Sequence, residues 1–156
     1  MFQQVTSQDQ LLTVLKEKNK DYNVNVVTQD ALKDIKLSDK LIVIVNFERK
    51  NEHGIGHWVV VLKKNSQEIV YFDPFGEYPP ESILAFMRKF KTNHMVGELF
   101  YNKKQIQTFK DSYCGWACLT FVKNYTGLNM PMLKAINALN SKKIIAYGKQ
   151  LYKTYF

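Results

Sequence analysis

Hydrophobic positions along the chain change their spacing several times, and each change marks an element. In TSQDQLLTVLKEK (6–18), Leu11, Leu12 and Leu15 fall on one face at helical spacing, and Ser7 stands where an N-cap belongs. DKLIVIVNF (39–47) is a nearly unbroken run rich in β-branched residues. Its lack of alternation predicts a central strand covered on both faces. A polar turn, ERKNEHGIG, leads to a second strand, HWVVVLKK (57–64). After the tight turn NSQ comes a third, EIVYFD (68–73), and these last two form a hairpin. PFGEYPP breaks the sheet, and ESILAFMRKF (81–90) is an amphipathic helix starting after Pro80.

GELFYNKK (97–104) predicts a short strand. TFKDSY (108–113) is a loop whose Asp111 and Ser112 are cap candidates for the helix CGWACLTFVKNYTG (114–127), closed by Gly127. PMLKAINALN (131–140) is a further helix begun at Pro131, and the basic, aromatic residues after it fit no clear element. The order helix, strands, helix, strand, helices predicts the α+β class, with a central mixed β-sheet flanked by helices. With 156 residues, no linker and no internal repeat, one domain spanning 1–156 is expected.

Composition narrows the function classes. No run of about 18 apolar residues occurs, so a membrane span is not expected. The start, MFQQVTSQDQLL, lacks the basic-then-apolar order of a signal peptide, so an intracellular rather than secreted protein is expected. Two cysteines are too few for a disulfide scaffold, and three histidines without a CxxC pair are a poor set for structural zinc, so no metal is expected. Residues 1–81 hold ten basic and twelve acidic side chains, a net −2, whereas residues 82–156 hold twelve basic and two acidic, a net +10. That asymmetry suits a polyanion such as double-stranded DNA, with Arg88, Lys89 and Lys91 as the densest cluster and Lys142 and Lys143 as another. A solvated basic face or a lysine-rich coding bias is the alternative.

Cys114 follows a polar loop at the first turn of a helix, where unpaired N–H groups and the macrodipole favour a thiolate. Gly115 leaves room beside the sulfur for a substrate backbone. Cys118, one turn further into the apolar helix, fits a small buried hydrophobe instead. A cysteine nucleophile needs a base, and the base an orienter. His57 is mounted rigidly at the start of a strand, whereas His53 lies inside a turn and His94 in a polar loop. In an antiparallel hairpin the start of strand 57–64 lies beside the end of strand 68–73, so His57 and Asp73 meet at one sheet edge. An oxyanion donor could come from the amide of Gln105 or of Gln107, together with the Cys114 N–H.

VNFERKNEHGIGHW (45–58), VYFDPFG (70–76) and QTFKDSYCGWAC (107–118) resemble the His-Trp, Glu/Asp-Pro-Phe-Gly and Gln-to-Cys-Gly blocks of the adenovirus protease (adenain) family. That family is the viral branch of the Ulp1-like cysteine protease clan. The resemblance runs from about Ser7 to about Tyr125. It implies a papain-like arrangement with the nucleophile, Cys114, at the N-terminus of a buried helix. It implies His57 as base, Asp73 as acidic member, Gln107 as oxyanion donor, and Trp58 and Gly115 as supporting residues. Asp73 replaces the Glu of adenovirus enzymes. The chemistry then requires no cofactor, although the family implies stimulation by DNA or by a viral peptide. The disulfide that tethers such a peptide cannot form here, because both cysteines belong to the active-site helix.

The expected function is therefore a monomeric cysteine endopeptidase that cleaves viral capsid and core precursor polypeptides during virion maturation, inside the virion or the infected cell. Two alternatives stand beside it: a protease of ubiquitin-like modifiers, and a basic DNA-binding protein without enzymatic activity.

Overall fold

The computed structural model describes residues 6–48, 56–107 and 113–156. Helix α1 (Gln8–Lys18) precedes strand β1 (Asn23–Thr28), a 3-10 turn (Gln29–Asp34), and strands β2 (Leu41–Glu48), β3 (Gly56–Lys63) and β4 (Glu68–Phe72). Helix α2 (Glu81–Thr92) and strand β5 (Glu98–Tyr101) follow. Helix α3 (Cys114–Val122) continues into a π-helical turn (Lys123–Gly127), then α4 (Met132–Asn137) and α5 (Ser141–Tyr155). This is an α+β fold on one mixed five-stranded sheet, ordered β1-β2-β3-β4-β5. β2, β3 and β4 are antiparallel neighbours, and the outer strands β1 and β5 run parallel to β2 and β4.

The apolar run of β2 is covered on both faces. Val43, Val45, Val59, Val61 and Tyr71 pack with Ile83, Phe86, Met87 and Phe90 of α2. The alternate residues Ile42, Ile44, Val60, Val70 and Phe72 pack with α3 and with residues of α1 and α5. Every residue of α3 is buried, which is why that segment shows apolar residues all round and no amphipathic stripe. Its N-terminus opens at the sheet edge where β3 begins and β4 ends.

Local chemistry accounts for the ends of the elements. Ser7 caps α1 through its hydroxyl, which accepts from the Gln10 N–H at 3.2 Å, while the Gln10 side chain accepts from the Ser7 N–H at 3.0 Å. The helix expected to run to Gly127 instead leaves α geometry after Val122. Its widened last turn carries the Leu128 N–H to Lys123 O at 2.9 Å. Lys64 Nζ donates to the carbonyls of Tyr125 and Met130 and to Asn129 Oδ1, serving acceptors that the helix end leaves over. The residues after 140 form a fifteen-residue helix capped by Asn140, which accepts from the Lys143 N–H at 2.8 Å. Among the described residues, no helix is long and apolar enough to cross a membrane.

Candidate active site

The β3–β4 hairpin does what its register requires. Val60 pairs with Phe72, so residues before Val60 and after Phe72 converge beyond the last rung. His57 and Asp73 meet there: His57 Nε2 lies 2.7 Å from Asp73 Oδ1. Both are about 1 % exposed. The same carboxylate oxygen accepts the Phe75 N–H at 2.8 Å. With Nε2 turned to Asp73, the other ring nitrogen is left for Cys114, whose thiol hydrogen-bonds the imidazole. The ring stacked on that imidazole is Phe75, at 4.2 Å between centroids and 16° between planes. Trp58 is buried on the α3 side of the sheet, in the cluster that also holds Cys114.

Burial opposes a charged His57. The hydrogen bonds from Asp73 and Cys114, with the charges on both, outweigh it and raise its pKa from an ordinary 6.5 to about 9. The imidazolium is therefore the favoured form near neutrality, and a thiolate on Cys114 would face a fixed positive partner. Cys118 lies in the opposite environment. It is wholly buried, its Sγ–H donates to Trp58 O at 3.4 Å, and burial holds its thiol well above the ordinary range. Two cysteines one helical turn apart are thus chemically distinct.

The glutamine alternatives separate by burial. Gln105 is exposed, and its amide donates to Gln107 O at 3.0 Å. Gln107 is buried, and the Ile106 and Gln107 N–H groups both donate to Pro74 O, at 2.8 and 2.9 Å. The loop carrying Gln107 is thereby tied to the turn carrying Asp73.

Gly115 requires a correction. A Cβ built there would collide with Thr6 Oγ1 and lie 3.0 Å from Thr6 Cβ. The missing side chain makes room for Thr6 of the same chain, not for a substrate backbone. Thr6 is itself buried, with its hydroxyl unpartnered. His94 is exposed in the turn after α2, at a positive φ of 59°. His53 and the cap candidates Asp111 and Ser112 lie outside the described residues.

The basic clusters do not come together. Arg88, Lys89 and Lys91 sit on α2, and Lys142 and Lys143 on α5, and these helices cover opposite faces of the sheet. Arg88 is also engaged with Glu81 at 3.3 Å. Among the described residues, no group of three or more His, Cys, Asp or Glu side chains is placed to hold a metal ion.

Sequence reasoning assigned no role to three residues of this site. Phe75 belongs to the DPFG segment (73–76), where its aromatic character is the only signal. Asn102 was one polar residue among those ending a strand, and Thr6 one residue before a helix cap. Their importance comes from tertiary contacts that no local spacing encodes.

No protein-family model matches the chain, and no curated protein matches it in sequence. Solved structures do. The pS273R protease of ASFV, African swine fever virus, is similar with a TM-score of 0.73 and 14% identity, over 94% of this chain and 67% of that one. The SUMO protease Ulp1 matches with a TM-score of 0.56 and 15% identity, over 94% of this chain and 75% of that one. ChlaDub1 from Chlamydia trachomatis matches at 0.53 and 17%, over 73% and 60%. The polypeptide, with its mixed five-stranded sheet and buried helix opening on a Cys-His-Asp cluster, has the fold of the Ulp1-like cysteine proteases.

Proposed function

We propose that the chain is a cysteine endopeptidase acting on viral precursor polypeptides during virion maturation. The observation that carries the reading is the buried line Cys114–His57–Asp73 at the mouth of α3. The Cys114 thiolate attacks the scissile carbonyl carbon, forming the C–S bond as the carbonyl π electrons move onto oxygen. That oxyanion is met by the Cys114 N–H and the Gln107 amide. On collapse, the C–N bond breaks and the imidazolium of His57 gives its proton to the departing amine, leaving a thioester. His57, now neutral, takes a proton from water. The resulting hydroxide adds to the thioester carbonyl, and the thiolate leaves. Asp73 holds the imidazole in register and compensates its charge throughout. DNA or a viral peptide would modulate this chemistry without entering it.

The viral substrate class is supported by the three adenain-like sequence blocks and by the higher structural similarity to the ASFV enzyme than to Ulp1 or ChlaDub1. A second reading, a protease of ubiquitin-like modifiers, is favoured by the likeness to the SUMO protease over 94% of the chain. The experiment is to incubate the purified chain with virion precursor proteins and, separately, with ubiquitin-like precursors, and to map new termini by mass spectrometry. Cuts confined to the virion precursors, absent with Cys114→Ala, are expected. Processing of the modifier tails alone supports the second reading, and no cleavage of either set rejects both.

A further inference from the structure

The β4–β5 ladder ends one residue short of the catalytic turn. Its last paired residues are Tyr71 and Tyr101, and the Asn102 N–H still reaches Tyr71 O at 3.3 Å. Beyond that point the backbone of β5 no longer runs beside β4. The Asn102 side chain takes over: its Oδ1 accepts the Asp73 N–H at 2.8 Å and its Nδ2 donates to Asp73 O at 2.7 Å. One carboxamide thus satisfies both the N–H and the C=O of Asp73, which in a parallel ladder would take two residues of the neighbouring strand. Asn102 is about 3 % exposed, so neither bond faces competition from bulk solvent.

The second Nδ2 proton goes to Lys104 O at 3.1 Å, fixing the loop that carries Gln107. That loop closes on the turn from its other side. Gly76, at φ 71°, presents its bare Cα to Lys103 O and Lys104, where a Cβ would lie 2.8 Å from both. Pro74 O accepts from Ile106 and Gln107. Asn102 stands where the acidic turn and the glutamine loop are joined.

We propose that Asn102 is a positioning residue of the active site, whose side-chain amide fixes the Asp73 backbone, and through it the His57–Asp73 hydrogen bond, while anchoring the loop that presents Gln107. This assignment rests on the peptidase reading for its catalytic meaning, but the geometry it describes is testable without cleavage.

The test uses the full chain in a Cys114→Ala background, with and without Asn102→Ala, and follows the His57 imidazole by NMR across pH. The three histidines of the chain make assignment tractable. Loss of the clamp should loosen the hold of Asp73 on the ring, moving the His57 titration down by about one pH unit or more. With Cys114 present, Asn102→Ala should lower kcat roughly 10- to 100-fold with a smaller change in KM, the scale expected when a catalytic group is misplaced by about an ångström. A general loss of stability would lower the melting temperature yet leave the titration of the folded molecules unmoved. An unshifted His57 titration in a folded variant overturns the proposal, whether or not the wild type cleaves any peptide. If the alanine variant does not fold, Asn102→Ser supplies the same measurement, since a hydroxyl is too short to bridge both backbone groups. Failure of both variants to fold makes Asn102 a determinant of the whole fold and also overturns the assignment. Absent cleavage with a shifted titration, by contrast, counts against the peptidase reading alone.

Discussion

Asp73 holds the Nε2 edge of His57 at 2.7 Å in a space almost closed to solvent, and this contact sets the proton inventory of the site. Its first consequence is a pH profile. His57 is pushed up to about 9, so its imidazolium persists through neutrality and is lost as pH rises through that value. Turnover should therefore have a basic limb near 9. Asp73→Asn should keep a hydrogen bond but remove the charge, shifting the limb towards 6.5 and cutting kcat at least about tenfold. A stability effect follows with the same sign. The folded state holds this proton more tightly than the unfolded chain, so the pair contributes its full stability below about 6.5 and loses it as pH climbs to 9. Chemical denaturation across that window checks it, and a basic limb unmoved by Asp73→Asn contradicts the role given to the carboxylate.

The two cysteines should behave as different functional groups. Cys114 is 8 % exposed at a helix start and hydrogen-bonded to His57, while Cys118 is sealed and protonated against the Trp58 carbonyl. Iodoacetamide near neutral pH should alkylate Cys114 far faster than Cys118, and His57→Ala should slow that labelling. Cys114→Ala should abolish cleavage without loss of fold, whereas Cys118→Ala should stay active and lose at most about 1–2 kcal/mol of packing. Peptide mapping that found Cys118 modified first would reverse the assignment.

Much of this site was legible because it depends on short-range pattern. β2, β3 and β4 announce themselves as β-branched runs, and a hairpin with the NSQ turn brings His57 to Asp73 by register alone. β1 was missed for a physical reason. As an edge strand it alternates Asn23 and Asn25 with the half-buried Val24 and the buried Val26, and asparagine has little intrinsic preference for strands. Helix α5 was missed because its buried stripe of Ile144, Gly148 and Leu151 includes a glycine, which blunts the apolar signal. The contacts of Asn102 and Thr6 were beyond reach altogether. Each is decided by an element many residues away, β4 for one and α3 for the other.

The Thr6–Gly115 contact predicts a coupled pair. Gly115→Ala drives a methyl group into Thr6 and should cost about 1–3 kcal/mol through overpacking beside Cys114. Thr6→Ala removes a buried hydroxyl without a partner and should be close to neutral or stabilising. Combining them should recover part of the Gly115→Ala loss, because the clashing oxygen is gone. Urea denaturation of the four proteins measures the coupling. Strict additivity would mean that Thr6 yields freely and that the glycine serves another purpose.

The basic half of the chain gives the last prediction, which concerns duplex DNA. The clusters on α2 and α5 face away from each other across the sheet, so one flat binding site cannot use both. They are also unequal. α2 contains Glu81, which engages Arg88, whereas α5 contains no acidic residue and carries Lys142 and Lys143 in its first turn, where the positive end of the helix adds to their potential. If the chain binds DNA, the α5 end should carry most of the affinity. Each lysine that neutralises a phosphate contributes about 0.9 to the slope of log K against log salt, so Lys142→Ala with Lys143→Ala should flatten the slope by up to roughly 2. Arg88→Ala with Lys89→Ala should leave it nearly unchanged. Fluorescence anisotropy of a labelled duplex, titrated from about 50 mM salt upward, separates these outcomes in the range where such binding is strongest. Equal loss from both double variants would point to a diffuse charge effect, and no binding at the lowest salt would leave the positive charge of residues 82–156 as a property of composition rather than of recognition.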